Sequence, residues 1–288
     1  MKYLYYPGCS LEGTAAEYDI STRAFLEAAG VELTEIEDWT CCGASAAEAV
    51  SELLSYALPA RNLALAEKMS QDSDLLVPCS ACYLNLKKVE VKAKEKAAFR
   101  EKINRILAEE DLLIRGKTRV RHLLDVVSRD LGAERIKKHV TRSLEGLTIA
   151  PYYGCQCLRP YRVFDDPEAP QSMAPLIEAT GAAVHPWDMG ARCCGASHMS
   201  TKQEVALELV GAILKAARGA DAVATVCPMC QMNLEAYQAK VSENIGEAAN
   251  ITIVYLPQLL GLAMGLSEKD VRLDLNLAVD PAFRTKLP

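Results

Sequence analysis

The chain has 288 residues, of which 50% are hydrophobic and 24% charged, with a net charge of −6. A chain this long can bury a large core unaided, so a disulfide-stapled mini-scaffold is excluded, and its ordinary Gly and Pro content excludes collagen, coiled coil and wholesale disorder. The acidic balance leaves no overall basic field for nucleic acid; the unusual feature is the presence of 11 cysteines.

The first residues hold no apolar run before a small-residue cleavage site, so no secretory signal is expected. Residues 2–6 are β-rich and end at Pro7-Gly8-Cys9. Thr14-x-x-Glu17 has the form of a capping box, and the helix it opens is expected to stop at Gly30. Val31 and Leu33 alternate briefly and lead to Trp39 and the vicinal pair Cys41-Cys42. A helical stretch follows over 46–69, with Pro59 as a kink or break. Residues 75–77 form a short apolar strand that runs into Pro78-Cys79.

Residues 87–142 carry 17 Lys and Arg against 9 Asp and Glu, a net of +8, which leaves −14 for the rest of the chain. Their apolar positions recur at helical spacing, so a solvated helical connector is expected, with an anion-attracting or docking surface as the sharper reading. No nucleic-acid motif accompanies the charge. The second half repeats the first plan. A strand at 147–150 leads towards Cys155, and a helix at 172–180 is closed by Gly181. A strand at 182–184 leads to Cys193-Cys194, then come a helix at 205–217 and a strand at 222–226 that runs into Cys227. Residues 253–266 are apolar but too short to span a membrane and are interrupted by Pro257, Gln258 and Gly261, so they read as a buried helix.

The cysteines themselves repeat. The first half reads C-x31-CC-x36-C-x2-C from Cys9, and the second reads C-x37-CC-x32-C-x2-C from Cys155, with Cys157 extra. Cys41-Cys42-Gly43-Ala44-Ser45 returns as Cys193-Cys194-Gly195-Ala196-Ser197. Cys79-x2-Cys82-x2-Asn85-Leu86 returns as Cys227-x2-Cys230-x2-Asn233-Leu234, and Tyr6-Pro7-Gly8-Cys9 returns, one residue shorter, as Tyr153-Gly154-Cys155. The chain is therefore a duplicated α/β unit. Two pseudo-symmetric repeats are expected, 1–145 (with 87–142 as connector) and 146–288, each a small, mostly parallel sheet with flanking helices. Every cysteine group follows a strand, so the loops at the strand carboxyl ends can gather five thiols in each half.

Eleven thiols in a chain without a signal peptide point to a reducing, cytoplasmic setting and to metal or redox chemistry rather than disulfides. Structural zinc takes four ligands, commonly from two C-x2-C hooks some 12–20 residues apart; here the hooks lie 144 residues apart and each half offers five cysteines. Adjacent cysteines suit a cluster of several irons better than one ion, although the compact cubane run is absent. The spacing thus favours an iron–sulfur cluster of unusual ligation per half, against zinc and against thioredoxin-like C-x2-C chemistry. Gly43 and Gly195 are read as tight turns that also let a backbone or substrate approach the thiols. Of the four histidines, His122 and His139 are expected on the surface and His185 in a loop. His198 is the candidate proton donor to a departing thiolate. Arg159, Arg162 and Arg192 are candidates for an anionic substrate, and Cys157 for a free thiol or a substitute ligand.

With these residues in place, the chain resembles the B subunit of heterodisulfide reductase, whose duplicated "CCG" domain follows C-x31–39-CC-x35–36-C-x2-C. The first copy fits the pattern fully; the last spacing of the second copy, 32, is short. The likeness extends over nearly the whole chain, including Leu256-Pro257-Gln258-Leu259-Leu260-Gly261. The same domain resembles iron–sulfur subunits of glycolate oxidase, lactate-utilisation and thiol:fumarate reductase systems. The resemblance implies two noncubane 4Fe-4S clusters, one on Cys9, Cys41, Cys42, Cys79 and Cys82, the other on Cys155, Cys193, Cys194, Cys227 and Cys230. It implies reductive cleavage of a disulfide, or thiol oxidation in reverse, between them. It also implies two partners that deliver electrons, a ferredoxin-like C subunit (HdrC-like) and a flavin-bearing A subunit (HdrA-like); the sequence has no flavin fingerprint of its own.

Overall fold

Eight short strands build two parallel sheets. In a computed structural model that describes residues 1–287, β1 (Lys2–Tyr5), β2 (Glu32–Glu35), β3 (Leu75–Val77) and β4 (Val120–His122) form the first sheet in the order β2-β1-β3-β4. β5 (Thr148–Tyr152), β6 (Ala183–Val184), β7 (Ala222–Thr225) and β8 (Thr252–Tyr255) form the second in the matching order β6-β5-β7-β8. All six strand pairings are parallel, with Tyr3 beside Leu33 in the first sheet and Val223 beside Ile253 in the second. The central strands β3 and β7 are buried throughout, as parallel strands covered on both faces must be.

Each crossover returns the chain to the same end of its sheet, so three loops per half emerge together at the strand carboxyl ends. The halves also share a core. The Ala16–Ala28 helix of the first half packs on the Leu256–Ala263 helix of the second, and one buried apolar cluster runs through both sheets. Among the described residues no helix is long and apolar enough to cross a membrane.

The fourth strand of each sheet departs from the sequence reading. The basic segment 87–142 is not helical throughout: β4 lies within it and forms the outer strand of the first sheet. Its polar sequence is tolerated because the buried Arg121 guanidinium is paired, at 2.6 Å to Asp125 and 2.8 Å to Asp130. A buried charge survives only with such partners, and removing one costs on the order of 3–5 kcal/mol. Residues 253–266 likewise divide into β8 and a helix. The boundary is set by Pro257 at the helix start and by Gln258, whose Oε1 accepts the Tyr255 N–H at 2.9 Å.

Two smaller expectations also fail. Thr14 does not cap this helix, which begins at Ala16 after a short turn with Ala15 at the N-cap, and Glu17 is buried. Pro59 does not break its segment in two. The Glu52–Met69 helix runs through it, and the break comes earlier, at extended Ser51, whose Oγ accepts the Leu54 N–H at 3.3 Å.

His122 closes β4 and is completely buried, contrary to the surface position expected for it. The Leu124 N–H donates to its Nδ1 at 3.2 Å, which places the ring proton on Nε2. Burial pulls the imidazole down from 6.5 to about 4, so the fold holds it neutral. The stability this contributes is fully present above the unfolded value near 6.5 and is lost as pH falls through about 4. The thermal midpoint should therefore decline as pH is lowered across that window, and His122→Gln should show a shallower decline; parallel profiles for the two proteins would contradict this.

Candidate functional site: two five-thiol clusters

β1, β2 and β3 deliver Cys9, the Cys41-Cys42 pair and the Cys79/Cys82 hook to one place. Cys9 and Cys41 sulfurs lie 3.5 Å apart, and Cys42 and Cys82 sulfurs 3.4 Å apart. In the second half Cys194 and Cys230 sulfurs are 3.6 Å apart, and Cys155 hydrogen-bonds Cys193. The vicinal pairs and the C-x2-C hooks thus meet in both halves. None of the eleven cysteines is in a disulfide, whose sulfurs would sit about 2.0 Å apart.

The donor set is all sulfur, five per half, in a connected series of contacts: Cys42 meets both Cys41 and Cys82, and Cys230 meets both Cys194 and Cys227. Among the described residues no three Cys, His, Asp or Glu side chains converge on a single ion. A structural zinc requires four ligands around one point. Five thiols spread over several contacts suit a group holding several metal ions, each reached by its own thiolates.

Small residues make the convergence possible. Gly8 has φ +77°, and a Cβ there would sit 2.7 Å from Cys82 Sγ; at Gly154, φ +72°, it would sit 3.0 Å from Cys230 Sγ. The recurring Gly-Cys dipeptide is therefore the space through which the hook sulfur enters. Gly43 and Gly195 have φ +85° and +73°, the tight turns expected of them. Their missing Cβ atoms face Ala47 and Ala206, at 2.5 Å and 3.0 Å, so the space is taken by packed helices and not by an approaching substrate. Their N–H groups face the thiols instead, donating to Cys41 Sγ at 3.4 Å and Cys193 Sγ at 3.3 Å.

Asn85 and Asn233, whose positions recur in the sequence, supply a link that spacing alone does not explain. Asn85 Nδ2 donates to the Cys42 carbonyl at 3.4 Å and the Ala44 carbonyl at 3.1 Å, and Asn233 Nδ2 donates to the Cys194 carbonyl at 3.1 Å. Each amide ties the vicinal-pair loop to the helix that begins at the hook.

The thiols differ in acidity. Hydrogen bonds from Cys41 and then Cys82 draw Cys42 down to about 3, and the hydrogen bond from Cys155, then the Gly195 N–H and the nearby basic side chains, draw Cys193 down to about 5. Hydrogen bonding to their partners pushes Cys41 and Cys155 up. Each vicinal pair thus holds one sulfur ready as thiolate, the form that binds metal.

His198 stands at the end of an exposed turn beside Cys193. Arg159 donates to the Ala191 carbonyl at 2.6 Å and pairs with Glu168. Arg162 pairs with Asp166 on the surface, and Arg192 is exposed. His185 is bonded to the Ala216 carbonyl, and His139 is exposed. Cys157 is buried, and its thiol donates to the Tyr153 carbonyl at 3.2 Å. A cavity of about 90 Å³ lies against the second set; Ala44, Ser45 and Ser80 of the first half line it opposite Ala196, Ser197 and Met229 of the second.

The profile of the cysteine-rich domain family, CCG, matches residues 3–87 and again 149–235. The chain is 34% identical, over 96% of its own length and 96% of the relative's, to the 8-methylmenaquinol:fumarate reductase membrane anchor subunit of Wolinella succinogenes. It is 28% identical, over 97% and 95%, to the B subunit of the ferredoxin/F(420)H(2)-dependent CoB-CoM heterodisulfide reductase of Methanosarcina acetivorans. The fold matches a hypothetical protein from Helicobacter pylori with a TM-score of 0.78 and 16% identity over 98% of this chain, which spans about half (52%) of that structure. The chain belongs to the cysteine-rich CCG domain family and carries the domain twice.

Burial ranks the sulfurs for a chemical test. In reduced, metal-free protein, Cys9, Cys41 and Cys193 should alkylate first, and Cys42, Cys82, Cys194 and Cys230 last, as read by mass mapping. Asn85→Ala should release Cys42 from protection while leaving Cys194 slow; equal protection of Cys42 with and without Asn85 would show that the amide does not hold the loop.

Proposed function

We propose that this chain is the iron–sulfur component on which a heterodisulfide reductase-like complex cleaves a disulfide, or forms one in reverse. The observation that carries this reading is the pair of five-thiol sets, one in each half, with a cavity against the second set that residues of the first half help to line. Cys9, Cys41, Cys42, Cys79 and Cys82 would hold one noncubane 4Fe-4S cluster, and Cys155, Cys193, Cys194, Cys227 and Cys230 the other. When bound, such clusters supply single electrons, and a disulfide takes two electrons and two protons to become two thiols.

The protein's own part is to bind, orient and protonate. The Gly43 and Gly195 N–H groups stabilise the sulfur charge of Cys41 and Cys193. Among the described residues the cavity wall carries no Asp, Glu, Lys, Arg or His, so the reacting sulfurs meet small neutral groups. His198 lies outside the cavity wall but close to Cys193, and it would hold a proton for a thiolate leaving on that side. Electrons would come from partner subunits, a ferredoxin-like one and a flavin-bearing one by the family resemblance; the two Methanosarcina relatives are named for ferredoxin-dependent enzymes.

A second reading has its own support. The relative at 34% identity is named as part of a quinol:fumarate reductase, where this chain's counterpart would relay electrons without binding a disulfide. With an artificial donor, Cys42→Ala and Cys194→Ala should each lower disulfide reduction by about a hundredfold or more. Unchanged turnover in both variants would remove the catalytic reading. Reduced protein whose spectrum is indifferent to every added disulfide would favour the relay.

A further inference from the structure

Where the two halves touch, their symmetry is broken by two hydroxyls, those of Tyr18 and Ser80. Tyr18, nine residues after Cys9, stacks on Tyr255 at the end of β8, with ring centroids 4.0 Å apart and planes 4° apart. Phe164, nine residues after Cys155, lies parallel to His122 at the end of β4, at 6.1 Å and 1°. Each half therefore sends one aromatic ring against the last strand of the other, at equivalent positions. Only the first half's ring carries an oxygen.

That oxygen lies between the two metal-binding hooks. Tyr18 Oη is 3.1 Å from the Pro78 carbonyl and 3.1 Å from the Val226 carbonyl, which belong to the residues immediately before Cys79 and Cys227. A second donor from the first half reaches the same second-half carbonyl: Ser80 Oγ bonds Val226 O at 3.2 Å. The fixed tautomer of His122 orients this bond. With Nδ1 occupied by the Leu124 N–H, Nε2–H donates to Ser80 Oγ at 3.2 Å, and the Ser80 proton is left to point at Val226. The second-half counterparts of Tyr18 and Ser80 are Phe164 and Pro228, which have no donor to return. All of these groups are buried, so the bonds are shielded from competing water.

We propose that Tyr18, seconded by Ser80, is a positioning residue that fixes the separation of the two thiol sets and so the span offered to a bound disulfide. The effect on a substrate rests on the function proposed above; the effect on separation does not. A disulfide must present its two sulfurs to both sides at once. A hydroxyl shared by the carbonyls one residue from each hook sets that gap more directly than any contact further out in the sheets. The burden falls on the second half, whose Val226 carbonyl accepts from both donors.

The second half already carries Phe at the matching position, so Tyr18→Phe removes the oxygen and keeps the stack. The test uses the iron-loaded full chain and reads the magnetic interaction between the two reduced centres by electron paramagnetic resonance, an interaction that falls steeply with distance. Tyr18→Phe should alter the splitting with metal content unchanged, and should raise KM for a small alkyl disulfide about threefold to tenfold, the equivalent of one buried hydrogen bond, with a smaller change in kcat. Ser80→Ala should shift the splitting in the same sense but less. Unchanged splitting in both variants would overturn the proposal, and if Tyr18→Phe does not accumulate as folded protein, unchanged splitting in Ser80→Ala alone would do so. A changed splitting in a protein that turns over no disulfide, wild type included, would support the positioning role and refute the disulfide reading.

Discussion

Five sulfurs can share one site only if three separate stretches of backbone come within sulfur contact, and that demand governs both halves of the chain. A parallel sheet meets it, because each crossover brings the chain back to the same edge and the loops after three strands open side by side. The last ångströms depend on missing atoms. Gly8 and Gly154 pass the hook sulfurs through the space a Cβ would fill, in a left-handed conformation that favours glycine. The sheets supply the direction of approach, the glycines the clearance, and the Asn85 and Asn233 amides the tie that stops the vicinal-pair loop from drifting away.

Duplication gives two such edges, but it does not by itself make them work together. The cavity against the second set is walled by both copies, so the position of one half relative to the other is part of the site. That relation rests on exchanged aromatics and on polar contacts that one copy alone provides. The copies have diverged where they meet, with Tyr18 against Phe164, Ser80 against Pro228 and His122 against Tyr255, and have stayed alike where the thiols gather, through Cys-Cys-Gly-Ala-Ser and Cys-x2-Cys-x2-Asn-Leu. Acidity follows a similar division, since the low-pKa sulfur is the second of the vicinal pair in one half and the first in the other.

Much of the site is legible because ligand chemistry writes itself in residue type and spacing: ten cysteines in two ordered sets place the sulfurs before any coordinates. Six of the eight strands can be read for the same reason, each being a short apolar run that leads to the next cysteine loop or to its vicinal pair. The fourth strand of each sheet cannot. β4 conceals a buried arginine in a basic segment, and only Asp125 and Asp130, folded back on it, make that burial possible. β8 runs into its helix without a polar break. The same charged surroundings disguise His122 as a surface residue. The glycines are legible only in part: the motif marks Gly43 and Gly195 as turns, but only geometry shows that Gly8 and Gly154 face the sulfurs.

The claim on which the rest depends is that each five-thiol set holds a multi-iron centre. Quantifying iron, acid-labile sulfide and zinc in anaerobically prepared protein tests it most directly. The account predicts about four irons and about four sulfides per half, about eight of each per chain. About one zinc per half with neither iron nor sulfide would contradict it.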